Sequence, residues 1–172
     1  MPALVIALLR VVHIVAGVFW VGSGISNAFF LMPSVIAAGS AGGAVMRQLV
    51  QVRKLPVATN VAMLLSLLSG LALYGWYGHH GKLEWILSPT GLAYGVSLVL
   101  AFASAGVGHG LVSASAKRLA AIASPLAPSG AAPTPEQAAE IAALQARMLT
   151  GSRIAATLGL VVVALMSVAR YL

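Results

Sequence analysis

At 172 residues, with 60% hydrophobic and only 8% charged residues and a mean hydropathy of +0.98, the chain lies far from the soluble average and reads as an all-α, polytopic membrane protein. It contains no cysteine, which excludes disulfides, thiolate metal sites and catalytic thiols. The formal net charge of +7 does not point to nucleic acid, because the basic residues sit in short stretches beside apolar runs rather than on a soluble face.

A membrane span takes about 20 apolar residues to cross a hydrocarbon core of roughly 30 Å. Four segments qualify, at about 11–32, 57–77, 91–113 and 154–168. They predict one membrane domain over residues 1–172. It is a four-transmembrane-helix bundle with a cytoplasmic loop at 114–153, which carries a helix from residue 135, so that helical extensions project into the cytoplasm. Met1, Pro2 and Ala3 bring no basic side chain and Arg10 interrupts the first apolar run, so that run is expected to be a span rather than a signal peptide.

In the first span Arg10, His13, Gly17, Trp20, Gly24 and Asn27 are spaced 3, 4, 3, 4 and 3. On a helix they form one stripe, the seam expected to face partner helices, while the other faces are Val, Ile, Ala, Phe and Leu. Arg10 is expected near the interface, because an arginine at the bilayer centre costs about 2.5 to 3.5 kcal/mol on insertion scales. Pro33 is expected to end this span, and Gly39 to Gly43 to form a flexible connection. Next, Met46, Leu49 and Val50 recur opposite Arg47, Gln48, Gln51 and Lys54, the pattern of a short basic helix on the cytoplasmic interface.

The second span carries Thr59 and Asn60 at its inner end, and Ser66, Gly70, Tyr74 and Tyr77 trace a face running outwards. The following loop holds His79, His80, Lys82, Glu84 and Trp85, and Trp85 with Trp76 and Tyr77 suggests an aromatic belt. A small-residue seam at Ser97, Ala101, Ser104 and Gly108 marks the third span, with a GxxxG pair at Gly106 and Gly110. Residues 124–133 read as a Pro, Ala and Ser linker. Thr134, Pro135 and Gln137 then give a helix start with a capping box, and the pattern runs on to Tyr171.

Charge orients the bundle. The side with both termini holds Arg10, Lys82 and Arg170, and the other holds Arg47, Arg53, Lys54, Lys117, Arg118, Arg147 and Arg153. The positive-inside rule makes the second side cytoplasmic, with both termini outside a bacterial inner membrane.

Polar groups fall into two layers. The inner layer holds Asn27, Asn60 and His109, and the outer layer holds Arg10, His13, His79 and His80. His13 and His109 should lie on the order of 20 Å apart along the bundle from helix rise, too far to share one haem or metal ion. In the outer layer, His13 with His79 or His80 offers two imidazoles for haem b or for copper. Arg10 is a candidate partner for a haem propionate or an anionic lipid, and Trp20 for cofactor stacking or simple packing. The other reading of His13 is a hydrogen bond to a neighbouring helix's backbone or hydroxyl, and of His109 a polar contact with Asn27 or Asn60. Glu84, Glu136 and Glu140 are the only acids and none falls in a span, so a carboxylate proton relay is absent. There is no phosphate loop or dinucleotide fingerprint.

The run Leu9, Arg10, Val11, Val12, His13, followed by Trp20, Val21 and Gly22, resembles the first helix of the CopD-like copper-resistance membrane proteins and related small bacterial membrane proteins. A first-helix histidine also resembles the HemJ-type protoporphyrinogen oxidases. The resemblance covers about 15 residues and implies an inner-membrane protein handling copper or haem on its outer face, with His13 as the position carried over. Three functional readings stand: a haem or copper protein; a non-catalytic accessory subunit, docked to other membrane subunits or to copies of itself; and a small-solute or metal permease.

Overall fold

Where water is absent, a backbone must satisfy its hydrogen bonds internally, and a helix does this segment by segment. In the computed structural model, which describes residues 2–78, 82–129 and 132–172, every regular element among the described residues is helical. Helix α1 (Ala3–Ala37) is α-helical over Ala3–Ser26, widens into a π turn at Asn27–Leu31 and resumes over Met32–Ala37. Helix α2 (Gly39–Arg47) continues into a π turn at Gln48–Val52. Then come α3 (Leu55–Tyr77) and the short α4 (Leu83–Ile86). Helix α5 (residues 89–129) runs from Pro89–Val107 through a π turn at Gly108–Ser113 into Ala114–Ser129. Helix α6 (Pro135–Val168) closes with a 3-10 turn at Ala169–Tyr171. Four of these, α1, α3, α5 and α6, are long and apolar enough to cross a membrane.

The four long helices form a ring. Among the described residues α1 packs on α3, α3 on α5, α5 on α6, and α6 back on α1, while the backbones of the diagonal pairs stay more than 8 Å apart between Cα atoms. Chain neighbours are therefore antiparallel spatial neighbours, and both chain ends lie at one end of the bundle, called here the terminal end. At mid-height Met63 and Leu67 of α3 meet Ala101 of α5 and Val162 of α6, with Trp20, Leu100, Ala105 and Met166 packed around them. The outside is apolar too: Val18 and Phe30 are each 69% exposed and Val99 is 67% exposed. A soluble monomer rarely shows contiguous apolar surface on that scale, whereas lipid would cover it at no cost.

Three expectations about the connections are corrected. Pro33 does not end the first helix, which continues to Ala37. The ring of Pro33 would collide with the carbonyl four residues earlier, that of Phe29, and the π turn that contains Phe29 gives the wider backbone that accommodates it. Gly39 to Gly43 is not a flexible connection but the start of α2. Gly39 takes a left-handed φ of 56° to reverse the chain, and a Cβ on Gly42 would run into the Val35 carbonyl. Those glycines serve close approach in a helical hairpin. Nor is 124–133 wholly a linker, because α5 runs on to Ser129. Its extension pairs with the start of α6, burying Ile122 and joining Arg118 to Glu140 at 2.7 Å, and that pairing outweighs the helix-breaking tendency of Pro125. The expected start of α6 is borne out: the Thr134 hydroxyl accepts from the Gln137 amide at 3.3 Å while the Gln137 side chain accepts from the Thr134 amide at 3.0 Å.

Two backbone sites give opposite predictions. Gly42→Ala should destabilise the α1–α2 hairpin by about 1 to 3 kcal/mol, because the obstacle is backbone that cannot step aside. Lys54 holds a left-handed φ of 54° ahead of α3, so Lys54→Gly should stabilise the fold by up to about 1 kcal/mol. Thermal unfolding of the detergent-solubilised protein reads both signs.

Candidate functional site

The α1–α3 seam is made of residues that have little or no side chain. Gly17 faces Ser66, whose Oγ would lie 3.2 Å from a Cβ on the glycine, and one turn towards the terminal end His13 meets Gly70. A Cβ on Gly70 would sit 2.7 Å from His13 Cε1 and 3.0 Å from Nδ1, so the imidazole occupies the space that the glycine leaves empty. In that position His13 Nδ1 lies 2.8 Å from the Ser66 carbonyl oxygen. A carbonyl only accepts, so Nδ1 carries the proton and donates it. In the neutral ring the lone pair is then on Nε2. Ser69 lies 3.4 Å from the same Nδ1, but its hydroxyl donates to the Leu65 carbonyl at 2.5 Å and is not a donor to the ring.

His13 is half-buried, and among the described residues its Nε2 has no hydrogen-bond partner. The expected contact of His13 with a neighbouring helix's backbone is thus present. It does not use up the ring. A backbone carbonyl on one nitrogen is the arrangement that, in metal and haem sites, fixes the tautomer and aims the other nitrogen at the ligand position.

The remaining candidates are dispersed. Arg10 is exposed, one turn beyond His13 towards the terminal end. Trp20 packs against the mid-height cluster, about 10 Å along the axis from His13 by helix rise, and its place is that of a core residue. His79 and His80 lie outside the described residues. Asn27 is half-buried in its π turn, and Asn60 is exposed on α3. His109 is exposed, and its Nδ1 donates to the Ala105 carbonyl of its own helix at 3.1 Å. The expected contact of His109 with Asn27 or Asn60 is not among the hydrogen bonds of the described residues. Those residues also contain no group of three or more His, Cys, Asp or Glu able to surround a metal ion.

Two features of the site escape a reading by residue type. Ser69 belongs to it through position alone, and the acceptor at Ser66 is backbone, which any residue carries. The visible signal is the small run Ser66, Ser69, Gly70 opposite a histidine on another helix. Above this layer the Tyr74 hydroxyl donates to the Gly91 carbonyl at 3.4 Å, and its ring meets Trp85 edge-on at 5.3 Å between centroids, joining α3, α4 and the start of α5.

Compared with protein-family models, with curated proteins and with solved structures, the chain matches none.

Because the glycine makes the space, Gly70→Ala should displace the imidazole and break its bond to Ser66. An interhelical hydrogen bond in a membrane averages about 0.6 kcal/mol, so most of the destabilisation, about 1 to 3 kcal/mol in all, should come from overpacking. Nitrogen-15 shifts of the His13 ring should show a protonated Nδ1 in the unaltered chain at neutral ring charge, and a change of tautomer balance in Gly70→Ala.

Proposed function

We propose that the chain is a multi-pass protein of the bacterial inner membrane that holds haem b or copper near its outer face, with His13 Nε2 as a ligand. One observation carries the reading: the 2.8 Å bond from His13 Nδ1 to the Ser66 carbonyl, which leaves Nε2 as the nitrogen able to bind. The residues fit such a group in chemistry, since imidazole suits iron and copper alike and the chain has no thiolate to offer instead. One imidazole is not a site, and the proposal assigns the second ligand to His79 or His80 of the following loop. Arg10, exposed about one turn further out, is the side chain to receive a haem propionate. The outer face is the terminal end, because seven of the ten Lys and Arg residues collect at the opposite end.

A second reading, a non-catalytic accessory subunit, rests on a separate observation. In the most apolar stretch of α1 only 6% of residues are fully buried within the chain, against 33% in α3, so away from its seams with α3 and α6 this helix offers an apolar surface to lipid or to another subunit.

The separating experiment is the oxidised and dithionite-reduced visible spectrum of the detergent-purified protein, with metal analysis of the same sample. Haem or copper near one per chain, lost in His13→Ala and kept in His109→Ala, is the expected outcome. A colourless, metal-free protein from cells supplied with haem and copper would overturn the cofactor reading in favour of the accessory subunit. Orientation has its own test, since the chain has no cysteine of its own. A membrane-impermeant maleimide added to intact spheroplasts should label Leu172→Cys and leave Ala142→Cys unlabelled.

A further inference from the structure

Helix α2 and the π turn that follows it stand apart from the four-helix ring. Among the described residues Gly39–Arg47 packs only within its own hairpin, against the Met32–Ala37 tail of α1, and Gln48–Val52 adds only the start of α3. Its two sides differ. Val45, Met46, Leu49 and Val50 fall on one side and Arg47, Gln48 and Gln51 on the other, with Arg53 and Lys54 at its end. Part of the apolar side is in contact, with Gly42 against Val35 and Met46 and Leu49 half-buried, and part is open: Val45 and Val50 are exposed.

Helix rise gives its depth. Trp20 and Leu67 belong to the mid-height cluster. Ala37 lies 17 residues beyond Trp20, about 25 Å along the axis, and Leu55 lies 12 residues before Leu67, about 18 Å. With half a hydrocarbon core at about 15 Å, both ends of α2 fall at the depth of the headgroups or just beyond. The segment between them is about 20 Å long and changes depth by only about 7 Å, so it runs largely in the membrane plane.

Charge selects what covers it. Residues 39–54 contain Arg47, Arg53 and Lys54 and no acid; of the two acids at this end of the bundle, Glu140 is joined to Arg118 and Glu136 lies in the first turn of α6, about 39 Å along the axis from Val162 of the mid-height cluster. We propose that α2 with its π turn is a lipid-binding helix of the inner leaflet, with Val45 and Val50 among acyl chains and Arg47, Arg53 and Lys54 on the phosphates of anionic lipids. The inference rests on the bilayer reading above but not on any cofactor. Apolar burial on one side and attraction to anionic headgroups on the other are the two contributions that hold such helices at an interface.

The test uses the full chain with single cysteines carrying an environment-sensitive fluorophore. It is reconstituted in vesicles of phosphatidylcholine and phosphatidylglycerol, one or the other with brominated tails. A label at Val50→Cys should be quenched strongly by brominated tails and one at Gln51→Cys weakly, with Val45→Cys repeating the first result at a second position. Brominated phosphatidylglycerol should quench more than brominated phosphatidylcholine at equal mole fraction. The combined Arg47→Gln, Arg53→Gln and Lys54→Gln variant should lose that preference, by about fivefold in enrichment per charge removed. Equal quenching at positions 50 and 51, or quenching at Val50→Cys by aqueous iodide alone, would overturn the proposal. So would a label at position 50 shielded from both iodide and tails, which would mean a protein partner, and so would equal quenching by the two lipids in the unaltered charge background. A label at Val18→Cys separates the two levels: if brominated tails do not quench it, the bilayer reading itself fails.

Discussion

How closely the helix backbones can approach decides the rest of this structure. Apolar side chains gain little by exchanging lipid for one another, so helices in a bilayer are paired by packing distance and by hydrogen bonds between them. Each strong pairing here has a residue with almost no side chain at the contact. Gly17 and Gly70 admit α3 to α1, Gly159 admits Val21 of α1 to α6, and Gly151 brings α6 against Leu111 of α5. Ser104 of α5 adds a hydrogen bond to the Ala155 carbonyl of α6 at 2.9 Å. The bulky residues are left for the outside, which is why so many of them are exposed. A loss of one small residue would open the pair it serves rather than the whole bundle.

The same requirement explains which parts of the chain could be read from its letters. The four apolar segments and the Thr134 capping box depend on composition and on residues three apart, so they are legible locally. Pro33, Gly39 to Gly43 and Pro125 read as breaks only while each is taken alone. A π turn absorbs the first, the second is required by the approach of Gly42 to Val35, and pairing with α6 overrides the third. His13 stands out as an ionisable group in an apolar run. Its acceptor, the Ser66 carbonyl, carries no mark in the sequence, because the acceptor is backbone and the pairing of α1 with α3 is a property of the fold. His109 shows the reverse: polar neighbours at similar depth suggested a contact, yet it turns to its own helix.

Between the two histidines lies the mid-height cluster, and the hydroxyls near it are turned inward to backbone. Ser97 donates to the Ala93 carbonyl at 2.7 Å and Ser104 to that of Ala155. Among the described residues no chain of hydrogen bonds leads from His13 to His109. The cluster of Met63, Leu67, Ala101 and Val162 packs between the level of His13 and that of His109.

The structural role of His13 and the ligand role proposed for it do not compete. An imidazole that only tied α1 to α3 would serve as well with either nitrogen, and a ligand imidazole with no tie would turn freely and bind poorly. Here one bond does both: Nδ1 holds the helices at the Ser66 carbonyl and, by taking the proton, determines that Nε2 carries the lone pair. Gly70 would support both roles at once, because it sets the helix spacing and the ring position together. Packing of the seam is thus a precondition of any ligand role for His13, and a variant that preserves the histidine but loses the glycine should behave, at the site, as though the histidine were gone.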